Sequence, residues 1–271
     1  MAPAHLLLGL VCFAGCAGAE AMTATPAPAP ATAVEPAPTL GLVPGETMAF
    51  EVRIAGVLAG EAQLAVGQPG EVGGVPALVV RSRAATAGAA ALLRNISDEA
   101  TTVVDLASGR PLTLSALVTN GAKRMTASAV FAGTTATVTY QRDQDPHPRT
   151  TRLQFGTTTV YDAHTAMAQL RGWRATKGEA RTVYVIGGRR LWRVDVTHLG
   201  GDTIGSALGN QRTQVFEGRS YRARPNMTLE SDRPTRTFKV WLSDDADRVP
   251  LKVVAATELG DITLELTEYT H

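Results

Sequence analysis

The candidates for acid–base or nucleophilic chemistry in this sequence are three histidines and one serine. His147, His164 and His198 have no acidic or nucleophilic partner at a recognisable spacing. Ser206 lies in a Gly-Ser-Ala-Leu-Gly segment, which lacks the Gly-x-Ser-x-Gly spacing of a hydrolase nucleophile. Neither a phosphate-binding loop nor a dinucleotide-binding fingerprint is present. We therefore interpret the histidines as surface or helix residues and predict no catalytic residue, no cofactor and no enzymatic activity.

Two acidic clusters could bind a cation. Residues 143–147 alternate Asp, Asp and His with other polar residues, and residues 244–247 contain three aspartates. A calcium ion needs six to eight oxygen ligands, and neither segment has the spacing of a calcium-binding loop. Aspartate is also common in turns, where its side chain bonds to its own backbone. We interpret both clusters as solvated turns and predict no metal site.

Arginine and tryptophan are the better candidates for function, because they suit binding rather than catalysis. Guanidinium groups donate paired hydrogen bonds to phosphate and carboxylate, and indole rings stack on sugars or lie at an apolar rim. Under the alternative interpretation, Trp192 belongs to the core and the arginines near it are solvated strand residues. The candidate ligand-binding residues are Trp173, Tyr184, Arg189, Arg190, Arg193 and Trp241.

The overall charge excludes a strongly basic nucleic-acid-binding domain. The chain has 271 residues and a formal charge of +1, and its first 39 residues contain two glutamates but no lysine or arginine. Residues 40–271 therefore hold 26 basic and 23 acidic residues, a formal charge of +3. Both cysteines, Cys12 and Cys16, precede residue 17, so the later part of the chain can form neither a disulfide nor a cysteine metal site.

The N-terminus has the pattern of an export signal. Residues 6–14 form an apolar run that is shorter than the roughly 20 residues needed to span a bilayer, and small residues follow it. The segment Phe13-Ala14-Gly15-Cys16 resembles the bacterial lipobox, in which the cysteine becomes the lipidated first residue of the mature chain. We predict that residues 1–16 are a lipoprotein signal peptide and that Cys16 is lipidated. The alternative is an ordinary signal peptide, cleaved after Ala17 or Ala19.

Residues 17–39 are predicted to be a disordered linker rich in proline and alanine. Such sequences favour extended polyproline geometry, so residues 23–39 span roughly 50 Å at about 3 Å per residue. A linker of this kind after a lipidated cysteine would hold a domain away from a membrane. We expect the protein in the bacterial cell envelope, facing the periplasm or the cell surface, with the outer membrane as the predicted location.

From residue 40 the apolar and polar residues alternate, which is typical of half-buried strands. The clearest hairpin covers residues 181–197, with Gly187 and Gly188 as the predicted turn and a second face, including Ile186 and Leu191, that could line a cleft. Short helices are predicted over residues 84–93 and 160–171, whereas residues 200–209 show no clear pattern. The sequence predicts one mainly β domain over residues 40–271: an antiparallel barrel, half-barrel or strongly curved sheet with one or two short helices.

Four segments together are similar to a known family. They are residues 42–46, residues 105–111, the predicted helix at 162–171, and residues 240–251 with the sequence Val-Trp-Leu-Ser-Asp-Asp and Arg-Val-Pro-Leu. In this order they resemble the bacterial envelope family catalogued as domain of unknown function 3108, over roughly residues 42–269. The resemblance implies an exported, mainly β protein, and it supplies no catalytic residue.

These observations leave three functions open. The first is a non-catalytic envelope lipoprotein that binds or carries a lipid, lipopolysaccharide or anionic glycan in a curved sheet, which predicts an apolar concave pocket. The second is a structural or assembly lipoprotein that docks on another envelope protein, which predicts a filled core and an exposed apolar patch. The third is a cell-wall hydrolase, which requires two acidic groups facing one cleft. The expected partners are thus a membrane, an amphiphilic or glycan ligand, or an envelope protein, and no nucleic acid.

Overall fold

A computed structural model describes residues 40–230, 235–257 and 260–271. The predicted signal peptide, Cys16 and the linker lie outside the described residues. The described residues form sixteen strands and two helices: β1 Thr47–Ile54, β2 Val57–Val66, β3 Gly70–Val72, β4 Val75–Thr86, α1 Gly88–Leu93, β5 Ile96–Asp105, β6 Pro111–Asn120, β7 Lys123–Ala132, β8 Thr135–Arg142, β9 Arg149–Gln154, β10 Val160–Asp162, α2 Ala163–Gly172, β11 Ala180–Gly187, β12 Arg190–Ser206, β13 Gly209–Ala223, β14 Arg236–Ser243, β15 Pro250–Thr257 and β16 Gly260–Thr270.

The strands form one strongly curved sheet, as the alternation predicts. Its order is β10-β11-β12-β13-β14-β15-β16-β1-β2-β4-β5-β6-β7-β8-β9, with β3 paired to β4. Neighbours are antiparallel except for β10 and β11. The two edge strands, β9 and β10, are consecutive in the chain. The link between them spans at most about 20 Å, whereas a flat sheet of this order would hold them roughly 65 Å apart. The sheet must therefore curl until its edges approach each other, without closing into a hydrogen-bonded barrel.

The two ends of the curled sheet overlap and pack together. Ala116 and Ala129, on the inner face of β6 and β7, belong to the same apolar cluster as Ile186 and Leu191. The opposite face of the β11–β12 hairpin, which includes Val185, packs with side chains of α2. Side chains just before and after the hairpin turn are therefore buried on both faces, as Val185, Ile186 and Leu191 show. The expectation that its second face lines a cleft is corrected for Ile186 and Leu191, because the overlapping end of the sheet covers them.

Helix α2 fills the space enclosed by the sheet. Asp162 caps its N-terminus, accepting a hydrogen bond from the Thr165 backbone at 3.0 Å, while the Thr165 hydroxyl accepts from the Asp162 backbone at 3.1 Å. This reciprocal arrangement satisfies donors that a helix end leaves free. Ala168 is fully buried against residues of β2, β4 and β5, and other α2 residues pack on β11 to β14. The interior of the curled sheet around α2 is therefore filled with side chains.

Three local predictions differ from the structure. The pattern-free residues 200–206 continue β12, because the ladder with β13 holds the backbone although the strand leaves the core. The turn of the β11–β12 hairpin consists of Gly188 and Arg189, since Gly187 pairs with Arg190. The predicted helix at 84–93 begins only at Gly88, because β4 continues to Thr86.

The strand connections define two ends of the domain. The distal end carries the β1–β2 turn, helix α1, the β6–β7 turn at residues 121–122, the β8–β9 loop and the β11–β12 turn. The linker end carries Leu40, the first described residue, and the loops at residues 106–110 and 244–249. No helix within the described ranges is long and apolar enough to span a membrane.

Candidate functional site

The two tryptophans predicted to bind a ligand contact other residues of the protein. Trp173 is buried against Phe216, with ring centroids 5.5 Å apart, and its indole donates a 3.0 Å hydrogen bond to Glu179. Trp241 is half-buried on β14, and its indole donates to Asp202 at 3.4 Å. The two side chains therefore do not form one aromatic surface.

The four other predicted binding residues lie along the β11–β12 hairpin. Arg193 is paired with Asp195 at 2.9 Å, and Tyr184 packs against the core cluster shared by the overlapping sheet ends. Arg190 is half-buried at the start of β12. Only Arg189 is exposed at the distal end, where its guanidinium lies 4.7 Å from the centroid of the Tyr140 ring. None of the six predicted residues lines the hollow described next, although Arg189 lies against Tyr140 beside it.

A basic hollow opens at the distal end, between β6, β7 and β8. Its volume is about 130 Å³. Three of its lining cations, Lys123, Arg124 and Arg142, are exposed and make no salt bridge with a carboxylate in the part of the chain that the structure describes. Its lining residues are Val118, Asn120, Lys123, Arg124, Met125, Arg142 and Gln144.

Two buried polar groups lie on the inner face beside this hollow. Asp98 pairs across the sheet with Val118, which pairs with Met125, which pairs with Arg142, so these four side chains point to the same side. Asp98 is 1% exposed, and neither carboxyl oxygen has a hydrogen-bond partner among the described residues. The hydroxyl of Tyr140, two residues before Arg142, is likewise buried without a hydrogen-bond partner in the part of the chain that the structure describes. Burial and the charge of Glu99 raise the pKa of Asp98 well above its ordinary value, so a neutral carboxyl is favoured.

An apolar patch adjoins the hollow. Leu92 and Leu93 at the end of α1 are 91% and 90% exposed, and Val57 and Leu58 at the start of β2 are 70% and 46% exposed. We call these four residues the distal apolar patch. The backbone of Ala87 bonds to Ala59 at 3.1 Å, which places α1 against β2.

Arg94 connects the distal apolar patch to the hollow. It follows α1 directly, and its guanidinium donates a 2.9 Å hydrogen bond to Asn120, one of the lining residues. With Lys123, Arg124 and Arg142 it forms what we call the distal cation cluster. Apolar and basic groups from four separate connections of the chain thus lie at the distal end, and Arg94 links α1 to the hollow.

A second polar arrangement lies deeper, between α2 and strands β4 and β5. His164 Nε2 lies 2.8 Å from Ser82 Oγ, and His164 Nδ1 lies 2.7 Å from Thr102 Oγ1, which donates to Asp162. Burial lowers the pKa of His164, against the opposing charge of Asp162. A neutral ring that donates from Nδ1 and accepts at Nε2 satisfies every one of these contacts.

This chain of groups has the composition of a catalytic triad but not its geometry. Thr102 lies between the imidazole and the acid, and His164 Nδ1 is 3.9 Å from the nearest Asp162 oxygen. Neither of the two best-defined hollows is lined by Ser82. The arrangement therefore satisfies buried polar groups and fixes the start of α2 on the sheet. Sequence reasoning missed it because positions 82, 102 and 164 have no meaningful spacing along the chain.

The four segments that carry the family resemblance converge at the linker end. Arg171 of α2 forms two hydrogen bonds with Glu46, at 2.6 and 2.8 Å, and donates to the backbone carbonyl of Asp247 at 2.9 Å. Leu40 approaches so closely to Gly109 that a Cβ there would lie 2.6 Å from its side chain. These segments thus build a buried junction around the end of α2.

The acidic clusters build turns. Asp143 accepts a 2.7 Å hydrogen bond from the Arg124 backbone, and Asp245 accepts from Ser243 and from the Arg248 backbone. Among the described residues, no group of three or more His, Cys, Asp or Glu side chains is arranged to hold a metal ion.

Comparison with solved structures shows the fold. A β-barrel-like protein of the domain of unknown function DUF1849 from Brucella abortus aligns with a TM-score of 0.55 at 10% identity, covering 83% of this chain and 96% of that one. A predicted lipoprotein of Parabacteroides distasonis aligns at 0.37 and 8% identity, covering 84% and 96%. A predicted exported protein of Bacteroides fragilis with a YmcC-like fold aligns at 0.34 and 11% identity, covering 84% and 97%. The last two scores do not establish a common fold.

No curated protein sequence matches this chain significantly. A family model does match, over residues 49–267, which include most of β1, all of β2 to β15 and most of β16. Three of the four segments that suggested the resemblance lie inside that range, residues 42–46 precede it, and all four meet around α2. The chain therefore belongs to the family described as protein of unknown function DUF3108.

Proposed function

We propose that this protein is an envelope lipoprotein whose β domain binds an anionic amphiphile, such as a lipid or lipopolysaccharide, at its distal end. The observation that carries the proposal is the distal cation cluster, whose four exposed cations adjoin an exposed apolar patch. Lysine and arginine suit the phosphate or carboxylate of such a ligand, and exposed leucine and valine suit its hydrocarbon.

The binding mode differs from a carrier with a hollow interior. The two best-defined hollows have volumes of about 20 and 130 Å³. Pockets that enclose a small molecule are usually about 300–1,000 Å³. Helix α2 and the overlapping sheet ends fill the interior with side chains. The ligand would therefore lie on the distal surface, with only a small part in the hollow.

The proposed cellular location depends on the N-terminal sequence. The lipobox-like segment ending in Cys16 and the Pro/Ala-rich stretch support a lipid anchor followed by a spacer. Leu40, where the described chain begins, lies at the end opposite the proposed binding surface. An anchored protein would thus leave the distal surface accessible. Attachment to the outer membrane, in particular, is part of this proposal.

Titration with a short-chain phosphatidylglycerol below its micelle concentration tests the binding function. Calorimetry should show binding that weakens as salt is added. Replacing both Lys123 and Arg124 with glutamine should weaken binding roughly 30-fold, at about 1 kcal/mol for each cation near an anionic lipid. Arg219→Gln is the matched control, because Arg219 is exposed elsewhere, on β13. An equal loss in the control, or no binding by the wild type, would refute the proposal.

Docking on another envelope protein is the second candidate. The filled interior and the distal apolar patch both favour it, since an exposed apolar patch commonly marks a protein interface. A photo-crosslinking amino acid at Leu93 distinguishes the two functions in intact cells. Recovery of one defined protein adduct in place of lipid adducts would favour docking.

A further inference from the structure

We propose that the distal apolar patch and the distal cation cluster form a membrane-contact surface that seats on an anionic bilayer, with Leu92 and Leu93 inserted among the lipids. This inference rests on the proposed function and deepens it, because it names the occupant as the face of a bilayer rather than a single lipid molecule.

The first argument is that α1 does not contribute its leucines to the fold. None of its residues is buried, and both leucines are at least 90% exposed. Main-chain contacts and Thr86 hold the helix in place, since the Thr86 hydroxyl bonds to the carbonyl of Arg94 at 3.0 Å and accepts from the Ile96 backbone at 3.0 Å. A helix fixed by its backbone, with two adjacent leucines in solvent, presents them to something outside the domain.

The second argument is charge complementarity. Arg94 directly follows Leu93 of the patch, and Lys123, Arg124 and Arg142 line the hollow; none of the four has a salt bridge to a described carboxylate. Asp143, in the adjoining loop, accepts a hydrogen bond from the Arg124 backbone. Two further acids nearby are already paired, Asp145 with Arg149 at 3.5 Å and Glu99 with Arg83 at 3.4 Å. Basic clusters beside an apolar insertion segment are attracted to anionic headgroups.

The third argument is position. Val57 and Leu58 lie beside α1 at the tip of the β1–β2 hairpin, so the apolar groups come from two adjacent protrusions of one end. Other large exposed apolar residues lie toward the opposite end, such as Val130 near the end of β7 and Leu208 in the β12–β13 turn. The apolar and basic groups thus coincide at the distal end.

A site-specific fluorophore tests the insertion directly. An environment-sensitive dye is attached to Leu92→Cys of the processed chain, and Leu208→Cys serves as the matched control at the linker end. We expect a blue shift and a several-fold rise in emission at position 92 with vesicles of phosphatidylglycerol and phosphatidylcholine, little change with phosphatidylcholine alone, and no change at position 208. An unchanged signal at position 92, or equal changes at both positions, would overturn the proposal.

A second measurement separates this inference from the proposed function. The double variant Leu92→Ser/Leu93→Ser should lose at least tenfold in affinity for anionic vesicles and a smaller factor in affinity for the short-chain lipid, which has less hydrocarbon to bury against the two leucines. Retained vesicle binding, or an equal loss in both assays, overturns membrane seating. Insertion at position 92 without short-chain lipid binding would uphold the membrane-contact surface and refute the single-lipid function.

Discussion

Replacing Arg171 with methionine tests whether the family-specific segments form a structural junction. Arg171 and Glu46 are 2% and 0% exposed, and their two hydrogen bonds measure 2.6 and 2.8 Å. Arg171 also donates twice to the carbonyl of Asp247, at 3.2 and 2.9 Å. Methionine retains much of the side-chain volume but leaves the Glu46 carboxylate buried without its cation.

The expected loss is large because an uncompensated buried charge is costly. Breaking a buried pair from one side destabilises by roughly 3–5 kcal/mol. Glu46 retains the Val43 backbone donor at 3.1 Å and the more distant Tyr269 hydroxyl at 3.4 Å. For a domain of this size, each kcal/mol corresponds to about 2–4 °C in Tm, so we expect a decrease of roughly 6–20 °C.

Urea unfolding of three variants provides the assay. Arg171→Met should lower the free energy of unfolding by the amount above, whereas E46Q/R171M should lose less, because it leaves no unpaired charge. Arg174→Met is the control, since Arg174 is exposed near the same helix end and makes only a 3.3 Å bond to the Ala246 carbonyl. A loss below about 1 kcal/mol for Arg171→Met, or a loss in the double variant as large as in Arg171→Met, would refute the reasoning.

Three further predictions concern buried groups. The pKa of Asp98 is raised in the folded protein, so the free energy of unfolding of the wild type should fall as the pH rises above about 4, the pKa of an unfolded aspartate. Urea unfolding at pH 5 and pH 8 should show this loss in the wild type but not in Asp98→Val. The same pH dependence in both proteins would contradict the prediction. The pKa of His164 is lowered in the folded protein, so stability should fall as the pH drops below about 6.5, the pKa of an unfolded histidine. In His164→Gln, the Tm should change less with pH over this range. A pH dependence of Tm equal to that of the wild type would contradict the prediction. In Gly218→Ala the new Cβ would lie 2.0 Å from the Phe238 ring, and this overpacking should lower the free energy of unfolding in urea by about 1–3 kcal/mol. The control Gly201→Ala has room for its Cβ and should be nearly neutral. Equal losses of stability in the two variants would show that the Phe238 ring moves aside freely.

Local chemistry was sufficient to predict much of the secondary structure. Alternating apolar residues identified the strands around Phe50 and Val240, and Asp162 was placed correctly at the start of a helix. The strand after Gly200 could not be predicted, because it extends beyond the core and its apolar and polar residues do not alternate. Its backbone nevertheless stays paired with β13. Periodicity records burial, and only indirectly records hydrogen bonding.

The candidate site was almost invisible in the sequence. Of the residues predicted to bind a ligand, Arg189 alone is exposed at the distal end, and Trp173 belongs to the core. The signals that existed were a short alanine-rich helix ending in two leucines and a basic turn at Lys123 and Arg124. Each is unremarkable alone, because exposed leucines and basic turns are common on protein surfaces.

The sequence by itself determined that the chain beyond residue 40 forms strands with one buried face, and it indicated an exported protein of a particular family. Tertiary structure alone decided that the sheet curls until β9 and β10 approach, that α2 fills the enclosed space, and that α1 meets a basic turn roughly 30 residues away in the chain. The physical reason is that backbone geometry follows from neighbouring residues, whereas the curvature of a sheet, and therefore which surfaces are covered or exposed, follows from contacts between residues far apart in sequence.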